Sequence, residues 1–190
     1  ADQLQRASPA SAGGSRETLD RKKRRPHVAD LDNDIRASLA SFVDDVFTNN
    51  WRGREREAIS VYAFGHLVPR CGDGRLLRSP TQIGIEVAVP QIPGGSAKRQ
   101  VCKDLVLWSE PGQTCWDAAG HPTIYPMAIM EWKANRGSIS LDDIGWLESY
   151  SKRRPSFVGF ATCLDLKARE FRLACARVES GHANRDWLRL

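Results

Sequence analysis

The chain has 190 residues, 41% of them hydrophobic, and its formal net charge at pH 7 is +5. This length suits one domain that contains a mixed sheet and its covering helices. No apolar run approaches the ~18 residues that a membrane-spanning helix needs, so we exclude a membrane protein and expect a soluble, cytoplasmic one.

The positive charge is concentrated near the N-terminus. Residues 1–26 carry seven Lys/Arg and three Asp/Glu, whereas the other 164 residues hold 21 basic and 20 acidic groups. Residues 1–30 are also rich in Ser, Ala and Gly, a composition that cannot bury enough apolar surface to fold. We therefore predict a disordered basic tail over 1–30 and a single domain over 31–190, whose near-neutral charge says little about a nucleic-acid partner.

The five cysteines are an odd number and include no CxxC pair. Closely spaced pairs are typical of zinc sites, and disulfide frameworks are typical of short secreted chains. We expect reduced thiols.

Hydrophobic periodicity predicts helices and strands in a definite order along the chain. Apolar residues at three- and four-residue spacing indicate helices, and runs of β-branched residues bounded by Pro or Gly indicate strands. This order predicts an α/β (α+β) fold, with a mixed central sheet flanked by helices and a helical crossover joining two parallel strands. The predicted helices cover 32–50, 52–67 and 141–152, and the predicted strands cover 83–89, 101–108, 125–133, 157–164 and 170–178.

The third predicted strand ends in an unusual way. After the apolar residues 127–130 come Glu131, Trp132 and Lys133. Side chains alternate along a strand, so Glu131 and Lys133 share one face and Trp132 points to the other. A surface salt bridge at a strand end is the simplest explanation of this pair.

Asp104 favours a different explanation. It lies near the start of the preceding predicted strand, again next to core residues. If the two strands are neighbours, the carboxylates of Asp104 and Glu131 converge, and a divalent cation would relieve their repulsion. Mg²⁺ prefers such oxygen ligands, and Lys133 could stabilise the negative charge that develops on a phosphate.

An Asp followed on the next strand by Glu-x-Lys, after a helix that carries a Glu, resembles the signature of the PD-(D/E)xK superfamily of restriction-endonuclease-like nucleases. The resemblance covers about residues 51–165 and implies an αβββαβ core. It implies that Asp104 and Glu131 bind Mg²⁺ or Mn²⁺ and that Lys133 assists catalysis. Lys103 stands where the motif has proline, and the loop between the two motif strands is long.

In this superfamily a Glu on the first core helix often completes the site. The Arg-Glu-Arg-Glu sequence at 54–57 is similar to the helix start of archaeal junction resolvases, which implies Glu55 as the third metal ligand and a catalytic residue. Glu57 is the alternative if the helix register differs, and Glu86 on the first strand is another candidate.

The function that this resemblance implies is divalent-metal-dependent hydrolysis of phosphodiester bonds in nucleic acid, most simply DNA. Nucleases of this kind often act as homodimers, and some members keep the scaffold as an inactive nucleic-acid- or protein-binding module. Basic residues near the proposed site would contact phosphates, which positions a nucleic acid without reading its sequence. The residues that we expect in this role are Lys98, Arg99, Lys103 and Arg136.

Overall fold

The computed structural model describes residues 28–92, 98–167 and 172–190. Most of the predicted tail, residues 1–27, lies outside the described residues, and 28–30 belong to the first helix. The described parts of the chain contain three α-helices and six strands. The helices are α1 (Val28–Thr48), α2 (Glu55–Val61) and α3 (Leu141–Arg153); the strands are β1 (Ile83–Pro90), β2 (Gln100–Leu107), β3 (Ala128–Ala134), β4 (Val158–Leu164), β5 (Leu173–Glu179) and β6 (His182–Arg189).

The six strands form one open mixed sheet in the order β1-β2-β3-β4-β5-β6. β3 and β4 are parallel, and every other neighbouring pair is antiparallel. α3 connects β3 to β4, as parallel neighbours require a crossover. The predicted mixed α/β sheet with a helical crossover is thus confirmed.

The helices cover both faces of the sheet. The apolar stripe of α1 packs with α2 and with alternate strand residues such as Met130 and Trp132 in one buried cluster. α3 packs on the opposite face against Ile129 and Ala161. Its start is capped by Ser140, whose hydroxyl accepts a hydrogen bond from the Asp143 N–H at 3.2 Å. The α1 residues in the stripe are Leu31, Ile35, Leu39, Phe42, Val43 and Val46.

Three elements differ from the sequence prediction. The second predicted helix is α-helical only to Val61 and continues as a π-helical turn over Tyr62–Leu67. β3 begins at Ala128 rather than at 125, because Pro126 has no N–H to donate to a strand ladder. β6 was not predicted, since its residues are mostly polar and exposed, as suits an edge strand. The Ser180-Gly181 dipeptide before it was the sequence signal for a hairpin turn between β5 and β6. In the structure these two residues have φ of 52° and 82°, as such a turn requires.

The β1–β2 hairpin changes faces at its middle. Ile83 and Ile85 pack with the α1 cluster, whereas Val87, at the same alternation, packs with the α3 cluster. Between them Glu86 has a φ of 52°, which is uncommon for a residue with a side chain. The flanking pairs Ile85↔Leu105 and Val87↔Lys103 place this kink opposite residue 104.

Along the described ranges, no helix has both the length and the apolar content that crossing a bilayer requires.

Candidate metal centre

The centre of the candidate site is a gap between β2 and β3. Their ladder runs from Leu107↔Ala128 to Leu105↔Met130 and no further towards Glu131. At the next position, the Asp104 carboxylate accepts a hydrogen bond from the Trp132 N–H at 2.8 Å. The side chain therefore replaces a backbone acceptor, and Asp104 is held at the point where the two strands separate.

Glu131 is buried and paired with Lys103. The two side chains are only 5% and 6% exposed, and the Lys103 ammonium donates to the Glu131 carboxylate. The same ammonium lies 3.6 Å from the ring centroid of Trp146 on α3. Burial raises the pKa of Glu131 to about 7; the charge of Lys103 opposes this rise, and the nearby carboxylates of Asp104 and Asp143 add to it.

Lys133 lies among three carboxylates. Its ammonium is 3.4 Å from Asp143, 3.8 Å from Glu55 and 4.0 Å from Asp104, and it donates to the carbonyl of Trp132 at 2.7 Å. Burial by itself would lower the pKa of Lys133, but the three negative charges outweigh burial and raise it. Lys133 is therefore a fixed positive charge on which carboxylates from β2, α2 and α3 converge.

Glu55 is the glutamate that the fold brings to this point. It is the first residue of α2, and its carboxylate accepts a hydrogen bond from the Ala134 N–H at 3.1 Å. Glu57 instead accepts from the Arg54 N–H at 2.7 Å and caps the helix. Glu86 forms an ion pair with Arg56 at 2.7 Å. Of the three candidates considered from sequence, Glu55 is the one whose carboxylate lies beside Lys133.

Asp143 is a member of this group that sequence reasoning missed. It lies in the first turn of α3, where an acidic residue is expected simply because it stabilises the helix dipole. Its side chain is 20% exposed and approaches Lys133 more closely than Glu55 or Asp104 does. No local pattern distinguishes an acidic first-turn residue that faces solvent from one that faces a site, so this contact required the tertiary structure.

The cations expected to contact phosphate lie in different environments. Lys98, Arg99 and Arg136 are exposed. Lys103 is buried, and its ammonium is occupied by Glu131 and by the Trp146 ring. The expectation that Lys103 contacts nucleic acid therefore does not fit this arrangement, because its ammonium is not presented at the surface.

Comparison with protein-family models, curated proteins and solved structures finds no match to this chain. A functional interpretation therefore rests on two observations. One is the six-stranded mixed sheet with helices on both faces, and the other is the geometry around Lys133.

The donor chemistry of the site fits a hard divalent cation, although the carboxylates now surround ammonium groups. Within the described part of the chain, no group of three or more His, Cys, Asp or Glu is already arranged to hold a metal. The Lys133 ammonium lies between the carboxylates of Glu55, Asp104 and Asp143. The ammonium of Lys103 pairs with the Glu131 carboxylate. Carboxylate oxygens are the ligands that Mg²⁺ and Mn²⁺ prefer. The residues that could hold such an ion are Asp104, Glu131, Glu55 and Asp143.

Proposed function

We propose that this chain is a divalent-metal-dependent nuclease of the PD-(D/E)xK kind that hydrolyses phosphodiester bonds, most simply in DNA. The observation that carries the proposal is the convergence of Glu55, Asp104 and Asp143 on Lys133, with the Glu131 carboxylate next to them. The order α2, β1, β2, β3, α3, β4 supports it, since this is the αβββαβ order of the restriction-endonuclease-like core.

In this proposal Asp104, Glu131 and Glu55 would hold a cation, Mg²⁺ or Mn²⁺, and the cation would supply Lewis-acid chemistry to phosphodiester hydrolysis. Asp104 is suited to this role because the Trp132 N–H fixes its orientation. Glu131 is paired with Lys103 through one carboxylate oxygen, Oε1, which leaves the other oxygen for a cation.

Lys133 has a separate role. Its raised pKa keeps it protonated, so it can donate to a phosphate oxygen as negative charge develops there in the transition state. Asp143, at 3.4 Å, orients the ammonium. In this position Asp143 is a positioning residue, since it acts through Lys133.

A binding module without catalytic activity is the second candidate, and one observation favours it. Lys103 pairs with Glu131 in a buried ion pair, so this carboxylate has a cationic partner within the protein and does not require a metal.

A cleavage assay separates the nuclease from the binding module. The substrates are plasmid DNA, a single DNA strand and an RNA, and each is tested with Mg²⁺, with Mn²⁺ and with EDTA. Asp104→Asn is the informative variant, because an amide oxygen can still accept the Trp132 N–H and maintain the fold while the charge is lost. We expect metal-dependent cleavage in the wild type and a loss of about 100-fold or more in Asp104→Asn and in Lys133→Met.

Asp186→Asn is the matched control, since Asp186 is exposed on the edge strand β6 and pairs with Arg189. It should cleave at the wild-type rate. Undiminished cleavage by Asp104→Asn would refute the assignment, and nucleic-acid binding without cleavage under every metal condition would establish the binding module instead.

A further inference from the structure

A second feature lies on the α3 face of the sheet. It is a cavity of about 320 Å³, formed by the end of β1, the long β2–β3 loop and the C-terminal end of α3. Aromatic rings and guanidinium groups make up most of its side-chain chemistry. The residues concerned are Trp116, Tyr125, Tyr150, Arg99, Arg153 and Arg154.

The cavity has a strong charge preference. None of the described residues that line it is acidic, whereas three of them are arginines. Arg153 and Arg154 end α3, where the helix dipole favours cations. Arg99 comes from a different element, just before β2, so the dipole does not explain the convergence of all three. Guanidinium groups in such a set suit a phosphate, which they can bind through two hydrogen bonds.

The aromatic residues provide flat surfaces beside these charges. The Trp116 indole N–H donates to the Ala88 carbonyl at 3.0 Å, which holds a loop residue in a defined orientation. The Arg154 guanidinium lies 3.3 Å from the ring centroid of Tyr125. Tyr150 is 4% exposed, and its buried hydroxyl has no hydrogen-bond partner among the described residues. Rings next to guanidinium groups are the combination that binds unpaired bases and their phosphates.

One side chain connects this cavity to the candidate metal centre. The Trp146 ring stacks on Tyr150, with centroids 4.8 Å apart and an interplanar angle of 22°. Its indole N–H donates to Gln91, another lining residue, at 2.9 Å. Trp146 also contacts the Lys103 ammonium, which pairs with Glu131. The cavity therefore adjoins the carboxylate site through a continuous set of contacts.

We propose that this cavity binds one unpaired nucleotide of the substrate strand, so that the nuclease acts on nucleic acid with a single-stranded segment. The base lies against Trp116, and its phosphate is bound by Arg99, Arg153 and Arg154, the last of which rests on the Tyr125 ring. A base inside a duplex has its faces covered by its neighbours, so only an unpaired one can enter. That the bound nucleotide lies next to a cleavage site rests on the proposed nuclease function, whereas the binding of a nucleotide in the cavity does not.

The test is fluorescence anisotropy in EDTA, with labelled oligo(dT) of about 12 nucleotides and a duplex of equal length. We expect the wild type to bind the single strand more tightly than the duplex. Trp116→Leu should weaken single-strand binding about tenfold. Arg99→Gln, which removes no described contact of the fold, should weaken it and reduce the slope of log K against log salt by about one.

Arg185→Gln is the matched control, because Arg185 is exposed on β6, at the opposite edge of the sheet from β1. It should bind as the wild type does. Wild-type affinity in both Trp116→Leu and Arg99→Gln would overturn the proposal, as would equal affinity for duplex and single strand. Competition by dTMP as strong as that of the oligonucleotide would show that the ligand is a free nucleotide and not a strand.

The assay separates this inference from the nuclease proposal. Without metal no cleavage occurs, and Asp104→Asn should retain single-strand binding, since Asp104 does not line the cavity. If single-strand binding depends on Trp116 and Arg99 but no metal condition gives cleavage, the nuclease proposal is refuted and the cavity proposal stands. Cleavage of a single strand with an unchanged KM in Arg99→Gln would refute the cavity alone.

Discussion

Replacing Lys103 by Met tests the buried ion pair on which the candidate site depends. Met keeps an unbranched apolar side chain of similar length but removes the ammonium, leaving Glu131 buried without its partner. Because the two side chains are 6% and 5% exposed, the charge left on Glu131 is costly, but protonation of Glu131, whose pKa is about 7, limits the cost to about 1.4 kcal/mol for each pH unit above 7, or about 2 kcal/mol at pH 8.5. An exposed pair would contribute at most about 1 kcal/mol.

The cost should depend on pH in a definite direction. Folding raises the pKa of Glu131 to about 7, so this group favours the folded state at low pH, and that contribution is lost as the pH rises through 7. Without the charge of Lys103, the pKa rises further and the ionised form becomes more costly. The variant should therefore lose little stability at about pH 5.5, where Glu131 is protonated in both proteins, and most at about pH 8.5.

Urea denaturation followed by tryptophan fluorescence at both pH values, without divalent metal, measures this difference. Lys167→Met is the control, because Lys167 is exposed and its ammonium has no described partner. A loss of equal size at both pH values, or no loss at the higher pH, would show that the Lys103–Glu131 pair does not titrate as argued.

Three further predictions concern packing, a buried hydroxyl and thiol reactivity. Gly159→Ala would place a Cβ 2.9 Å from Leu147 Cδ2 and force α3 away from β4, so thermal unfolding should show a loss of about 1–3 kcal/mol. Tyr150→Phe removes a buried hydroxyl with no partner among the described residues, so calorimetry should show a Tm no lower than that of the wild type. Iodoacetamide should modify exposed Cys102 well before Cys115, which is buried and whose pKa burial raises to about 12; peptide mass spectrometry would reveal the order.

Much of the architecture was predictable from local pattern. The apolar spacing in α1 and α3 reports which face of each helix is buried, and this is a property of the chain itself. The crossover between β3 and β4 followed from the order of elements, because parallel neighbours need a long connection. Local pattern also singled out Asp104 and Glu131, because they are carboxylates that interrupt apolar strands. β6 did not stand out, because an edge strand buries too little to impose an alternating pattern.

The make-up of the candidate site was decided by tertiary structure. The resemblance favoured Glu55, but sequence left Glu57 and Glu86 open as alternatives, because the choice depends on how α2 meets the end of β3. Nor could it show that Lys103 is buried or that Asp143 reaches Lys133 from α3. Periodicity determines the face of its own element on which a residue lies. Which charges meet across elements depends on how the sheet separates and how the helices pack on it, and only the folded chain sets these distances.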